Sequence, residues 1–207
     1  MKYMIVESTK DVSLEVLSDF KKELGDDFPV EIGGQAVLLS ADPPSFINLI
    51  ADPSWWLNIL GAIAGGFVAD LAKEATINTW KNRGKAIAML RQSNDNLKKL
   101  AVAIARLLSR LKQNTHIFIG IPVTGGTDST QLFLSSGDEN DLTIEIAMFV
   151  YYLPALTKLL KTEGLGSGKI SGVVRLEFLE DGSLEVRWAE WRSNIQVRRV
   201  IPLDYSP

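Results

Sequence analysis

The chain has 207 residues, of which 46% are hydrophobic and 23% are charged, the balance of an ordinary folded protein. Its formal net charge is −3, so the molecule as a whole does not attract a polyanion, and nucleic acid is not an expected partner. It contains no cysteine, and this absence excludes disulfides, thiol catalysis and cysteine-ligated metal sites. His116 is its one histidine. No cofactor is expected.

The N-terminal segment predicts a strand followed by a helix. Residues 3–7 form a short apolar run of the length of a strand. Residues 12–24 place apolar side chains at helical spacing, with Asp11 or Ser13 available to cap the start and Gly25 to end it. The sequence therefore predicts one strand and one amphipathic helix here.

The next segment predicts short strands and then a long helical block. Apolar runs at 30–32 and 36–39 flank a glycine pair, which predicts a hairpin or two short strands. Residues 45–114 predict several helices separated by turn-forming residues. The clearest of these covers 97–111, where apolar side chains recur at i, i+3, i+4 and i+7 and basic side chains lie elsewhere.

After residue 114 the apolar period changes to that of strands. Residues 116–123 and 131–134 are β-branched apolar runs joined by a turn-rich segment, which predicts a hairpin with a long loop. Residues 139–162 predict a helix capped by Ser136 or Asp138, which Pro154 would kink or divide.

The C-terminal part begins with a glycine-rich linker at 164–168. Residues 173–179 and 184–191 predict a hairpin, because the Asp181-Gly182 pair between them tolerates the positive φ angles of a tight turn. A last strand is predicted at 195–201. Strands at both ends of the chain then surround a helical middle.

This order of elements predicts an α+β fold. We expect a mixed, largely antiparallel sheet, built from N- and C-terminal strands and packed against the helical middle block. The chain is long enough for one large domain, so we expect a single domain over 1–207, with 45–114 as a candidate helical subdomain.

The most unusual stretch is 53–69, seventeen residues without a charge. Gly61 and Gly65 lie one helical turn apart, so another helix can approach this face closely, and Trp55 and Trp56 stand at one end. The stretch is shorter than the ~20 residues that span a bilayer. We therefore favour a buried helix with close helix–helix contacts, inside the monomer or across a dimer; insertion into a membrane is the alternative.

The sequence contains no segment that fully matches a known catalytic or nucleotide-binding motif. The segment 164–169 resembles a phosphate-binding loop, but a glutamate replaces its first glycine and an isoleucine follows its lysine. His116 has no G-x-S-x-G serine to activate. Asp138, Glu139 and Asp141 lack the spacing of a calcium loop, and helix capping explains them. No pair among the 25 acidic residues can be chosen as catalytic from sequence.

The C-terminal hairpin combines tryptophan and arginine, which are the side chains enriched in binding hot spots. Strand alternation puts Trp188 and Trp191 on opposite faces, so we expect one in the core and the other at an edge or in a partner contact. Arg192 follows directly. The candidate interaction residues are Gly61, Gly65, Trp55, Trp56, Trp188, Trp191 and Arg192.

These observations predict a non-enzymatic protein-interaction or regulatory module that acts in a homo- or hetero-oligomer, with protein as partner and a homo-oligomer expected. Two alternatives remain: a membrane-active effector that uses 53–69, and a hydrolase-type enzyme whose site is assembled from dispersed carboxylates. The N-terminus has no signal-peptide pattern, so a cytoplasmic location is expected.

Overall fold

The computed structural model describes residues 3–36, 45–60, 95–111, 114–123, 129–165, 170, 173–193 and 195–203. Eight strands form one mixed sheet: β1 (Met4–Thr9), β2 (Val30–Ala36), β3 (Ser45–Ile50), β4 (Thr115–Gly120), β5 (Thr130–Phe133), β6 (Val174–Phe178), β7 (Leu184–Ala189) and β8 (Gln196–Ile201). Their order across the sheet is β2-β1-β3-β4-β5-β6-β7-β8.

Parallel and antiparallel pairs alternate over most of this sheet. The pairs β1–β2, β3–β4 and β5–β6 are parallel, and the other four neighbouring pairs are antiparallel. Each parallel pair is joined by a helical connection, because a parallel pair needs a crossover. The predicted α+β class with a mixed, largely antiparallel sheet is confirmed.

Four described helices pack as one layer: α1 (Leu14–Leu24), α2 (Pro53–Leu60), α3 (Asp95–Arg110) and α4 (Glu139–Thr162). The third helix contacts α1 on one side and α4 on the other, and α2 contacts both α3 and α4. Strand side chains that face this layer are buried, among them Leu49, Ile119 and Leu132. The hydrophobic core therefore lies between the helix layer and one face of the sheet.

The other face of the sheet is not covered by any helix among these described residues. We call it the open face. Its side chains alternate with the buried ones along each strand, as a strand requires. It includes Glu7, Phe118, Phe133, Arg187 and Arg198, which are half-buried or exposed.

Two expectations from the sequence are wrong. Residues Ser45–Ile50 form a central strand rather than the start of the helical block, because this apolar run pairs with β1 on one side and β4 on the other. The glycine pair at 33–34 lies inside the continuous strand β2 instead of a hairpin turn. A Cβ at Gly33 would lie 2.9 Å from the Cγ2 of Ile5 on β1, so this glycine permits the close pairing of the two strands.

Other local expectations are confirmed. Ser13 caps α1, Gly25 ends it with a φ of 68°, and Asp138 caps α4. The fourth helix runs through Pro154 without being divided; this proline is exposed on the outer side. Residues 61–94 and 112–113 of the candidate helical subdomain lie outside the described residues.

Candidate functional site

Trp55 and Trp56 lie in the core at the start of α2. Both are buried, and the Trp56 ring packs edge-on against Phe149 of α4 with a centroid distance of 5.4 Å. The Trp56 indole N–H donates a hydrogen bond to the backbone oxygen of Gly120 at 3.0 Å. These tryptophans therefore join α2 to the sheet and to α4, and they present no surface to a partner in this arrangement.

Gly61 and Gly65 lie outside the described residues, so close packing at these glycines stays a prediction, as does membrane insertion of 53–69. Within the described residues, α4 is long and apolar enough to cross a membrane by length and composition, and 56% of its most apolar window is buried inside the fold. The core helix of a folded domain meets the same description.

The two C-terminal tryptophans differ as expected. Trp188 of β7 is 4% exposed and belongs to the core, whereas Trp191 in the following turn is 56% exposed. Arg192 is exposed beside Trp191. Its backbone φ angle is 75°, a value that residues other than glycine, asparagine and aspartate rarely adopt. Of the predicted interaction residues that the structure describes, Trp191 and Arg192 are those that reach the surface.

These side chains line an open cleft of about 540 Å³ between the end of α4 and the β7–β8 turn, which we call the terminal cleft. Its volume is in the range of sites that bind small ligands or peptide side chains. Three of the candidate interaction residues predicted from the sequence, Trp188, Trp191 and Arg192, line this cleft. The lining includes Glu163, Trp188, Glu190, Trp191, Arg192 and Arg199.

The charges in the terminal cleft are only partly neutralised. Arg199 donates to Glu163 at 2.7 Å and lies over the Trp188 ring, 5.7 Å from its centroid. Glu190 accepts a hydrogen bond from the Ser193 hydroxyl at 3.1 Å. Arg192 forms no ion pair with any residue that the structure describes. The guanidinium of Arg192 is therefore available to an anionic group.

The cleft adjoins the edge of the sheet. In the described part of the chain, β8 pairs with β7 alone, so its other side presents unpaired backbone groups. Residues 191–203 carry three arginines and no acidic residue. Ile195 and Val200 are exposed along the same edge. Arg198 and Arg199 pair with Glu185 and Glu163, so this edge is partly apolar and Arg192 is its one arginine with no ion pair to a described residue.

A second surface, the aromatic patch, lies on the open face and was missed from the sequence. His116, Phe118 and Phe133 contact one another, with ring centroids 5.0 Å apart for His116–Phe133 and 5.7 Å for Phe118–Phe133. Phe133 is 43% exposed. The alternation of His116 and Phe118 along the predicted strand was the available signal, but the position of Phe133 depends on the β4–β5 register.

Beside the aromatic patch, the open face carries an ion-pair network on β6 to β8. Glu185 is almost fully buried because Arg187 and Arg198 both pair with it, the Arg187 Nε at 2.9 Å from its Oε1. Arg187 also pairs with Glu177. Arg175 is exposed on the adjacent strand. The network holds a row of arginines at one end of the face.

The described residues contain no group of three or more histidine, aspartate or glutamate side chains that could hold a metal ion. The backbone amide of Ser183, which donates to Asp181, holds the pKa of that carboxyl below its usual range, but this contact belongs to the β6–β7 turn. The hydroxyl of Ser45, the first residue of β3, donates to the carboxylate of Asp11, which follows β1.

Comparison of the chain with known protein families, with curated proteins and with solved structures finds no match.

Proposed function

We propose that this protein is a non-enzymatic interaction module that binds an extended, acidic segment of a partner protein along the β8 edge. The observation that carries the proposal is the free side of β8: this strand pairs only with β7 among the described residues, and the terminal cleft beside it presents the exposed Trp191 and Arg192. A protein that binds in this way acts in a hetero-oligomer.

The geometry supports strand addition. A segment paired with β8 would satisfy the backbone groups of the edge, and its side chains would point alternately to the two faces of the sheet. Those on the helix side would enter the terminal cleft, where Trp191 offers an exposed indole and Arg192 a guanidinium that forms no ion pair with a described residue. Those on the open face would meet Arg198 and Val200.

The charge of the edge favours an acidic partner over a second copy of the same strand. If two β8 strands paired antiparallel about either central residue, Arg198 or Arg199, that arginine would lie opposite its own copy. Like charges directly opposite each other destabilise a strand pair. A carboxylate of a partner would instead form a charge-assisted hydrogen bond with Arg192, since Arg198 and Arg199 already pair with Glu185 and Glu163.

Peptide binding tests this proposal. The probe is a fluorescein-labelled peptide of eight residues with alternating glutamate and valine, measured by fluorescence anisotropy at low salt, and the control probe alternates lysine and valine. We expect binding of the acidic peptide only. Trp191→Ala should weaken it by about tenfold or more, since an exposed aromatic at a binding site is a common hot spot.

A matched pair of variants separates the site from general charge. Arg192→Asn removes the available guanidinium, and asparagine tolerates the left-handed backbone at this position. Arg110→Asn removes an exposed arginine at the end of α3, far along the helix layer. We expect only Arg192→Asn to weaken binding, by about tenfold. Equal binding of the lysine peptide, or equal losses in the two variants, would show that the edge is not the site.

A further inference from the structure

The open face has an aromatic middle and oppositely charged ends. Phe118 and Phe133 lie on β4 and β5, the two central strands of the sheet. The carboxylates of Glu7 and Glu31 lie at the β1–β2 end, where no open-face arginine or lysine occurs on these two strands. The arginine row lies at the opposite end, formed by Arg175, Arg187 and Arg198.

The arginine row leaves its end of the face basic. Its three guanidinium groups outnumber the two carboxylates beside them on the open face of β6 and β7, Glu177 and Glu185. Arg175 forms no ion pair with a described residue. The face is therefore acidic at β1–β2, uncharged and largely aromatic in the middle, where Asn48 and Gln131 also lie, and basic at β6–β8.

We propose that a second copy of this chain docks on the open face, with the twofold axis parallel to the strands and between β4 and β5. Such a rotation reverses the strand order, so β1 and β2 of one copy lie over β7 and β8 of the other. Each acidic end then meets a basic end, as a self-complementary interface requires. An axis perpendicular to the strands would place like charges on like charges.

The strand register gives one contact of this dimer. Successive register partners link Glu31 to Ile5, Ile5 to Ile50 and Ile50 to Gly120. Since Ile119 pairs with Leu132, the same row of side chains continues through Gln131 and the arginine row to Arg198.

Rotation about an axis parallel to the strands does not change the position of a side chain along the strand direction. Side chains of one row therefore face side chains of the same row in the second copy. Glu31 of one copy lies opposite Arg198 of the second copy, and Phe118 lies opposite Phe133. Glu7 lies opposite Glu185, which Arg187 and Arg198 already neutralise. The dimer contains each contact twice, so a change at one residue affects both ends of the interface.

The area of the open face suits a dimer. Eight strands about 4.8 Å apart and about 20 Å long give a face on the order of 650 Å² per copy, or roughly 1,300 Å² in total. Stable interfaces bury about 1,200–2,000 Å² in total. A single-stranded nucleic acid is the other occupant that stacks on sheet aromatics, but Glu7 and Glu31 would repel its phosphates.

The oligomeric state of the full chain, measured by sedimentation velocity, tests this inference. We expect the wild-type protein to sediment at twice the monomer mass of 22.8 kDa. Phe133→Ser should weaken the dimer by about 30-fold, because it removes the central aromatic contact from both copies. Leu14→Ser is the matched control: Leu14 is 56% exposed on α1, in the helix layer, so this variant should remain dimeric.

Charge reversal tests the orientation of the two copies. Glu31→Arg places an arginine opposite Arg198 and should weaken the dimer by about tenfold at low salt, with a smaller effect at high salt. Glu180→Arg makes the same charge change in the exposed β6–β7 turn and should leave the dimer intact.

A wild-type protein that is monomeric at about 100 μM would overturn the dimer, as would a monomer whose mass rises only when a single-stranded oligonucleotide is added. Equal dissociation of the Phe133→Ser and Leu14→Ser variants would also overturn it. So would equal effects of Glu31→Arg and Glu180→Arg. None of these measurements uses the peptide of the proposed function, so the two ideas can fail separately. Loss of peptide binding at β8 would leave the dimer untouched.

Discussion

Gly120 shows how one residue can determine a strand junction. A Cβ at this position would lie 1.8 Å from the backbone oxygen of Thr130 on the neighbouring strand, so no side chain fits. The carbonyl oxygen of Gly120 accepts the indole N–H of Trp56, and the next residue, Ile121, donates its N–H to the Thr130 hydroxyl at 2.9 Å. The absence of a side chain thus allows β4, β5 and α2 to meet.

The first prediction concerns this glycine. Gly120→Ala should lower the free energy of unfolding by about 3 kcal/mol or more, because the methyl group overlaps a backbone atom that cannot move without breaking the β4–β5 pair. The measurement is the urea midpoint followed by circular dichroism. Gly137→Ala is the control, since a Cβ there meets nothing within 4 Å and should change stability by less than about 0.5 kcal/mol. Equal midpoints for the two variants would contradict the close approach.

At the scale of elements, helices α1 and α4 begin at residues whose side chains accept hydrogen bonds from the first backbone amides, and α1 ends with basic residues. The Ser13 hydroxyl accepts a hydrogen bond from the Glu15 N–H at 3.2 Å, and Asp138 accepts from the first amides of α4. These side chains satisfy N–H groups that have no partner inside the helix. Lys21 and Lys22 lie in the last turn of α1, at the negative end of its dipole.

The second prediction concerns the cap of α1. Ser13→Ala should lower the free energy of unfolding by about 1 kcal/mol, since it leaves one amide of the first turn without its acceptor. Ser109→Ala removes the same atom from an exposed serine in the last turn of α3 and should have a smaller effect. Urea unfolding of the two variants under the same conditions measures the difference. A loss at Ser109 as large as that at Ser13 would show that capping is not its cause.

At the scale of the whole molecule, the helix layer joins two halves of the sheet. Strands β1 to β4 come from the first part of the chain and β5 to β8 from the second, and they meet at the short β4–β5 pair. The fourth helix belongs to the second half but packs on α2 and α3 of the first. The contact between Trp56 and Phe149 crosses the same boundary. The two halves therefore share one core.

The third prediction follows from this shared core. Unfolding in urea should be one transition, with the same midpoint by tryptophan fluorescence and by far-ultraviolet circular dichroism. Trp56 reports on the first half and Trp188 on the second, so a separate transition of either half would appear in the fluorescence. Two transitions would mean that the halves unfold independently and would contradict the single domain expected from the sequence.

Much of the fold could be predicted from local patterns. The helices α1, α3 and α4 and the β6–β7 hairpin were expected near their observed positions, because apolar spacing, capping side chains and the Asp181-Gly182 turn act within a few residues of one another. β2 was expected as a hairpin or two short strands rather than one continuous strand, and β3 was predicted wrongly as part of the helical block. A short apolar run fits a strand or a buried helix equally well, and the neighbouring strands decided between them.

The candidate sites likewise differ in whether they depend on local sequence or on strand register. One of Trp188 and Trp191 was expected in the core and the other at an edge, because strand alternation is a local property; the structure shows that Trp191 is the exposed one. The aromatic patch was not expected, since Phe118 and Phe133 become neighbours only through the β4–β5 register. The arginine row likewise joins three strands that the sequence alone cannot align.

The sequence by itself therefore determined the class of fold, the lack of cysteine chemistry, the capped helices and the Trp/Arg character of the C-terminal hairpin, all of which depend on composition or on residues close together in the chain. Only the tertiary structure decided that 45–50 is a central strand, that Trp55 and Trp56 lie in the core, and that the open face has an acidic and a basic end. The physical reason is that strand order and register depend on contacts between distant segments, which no local pattern encodes.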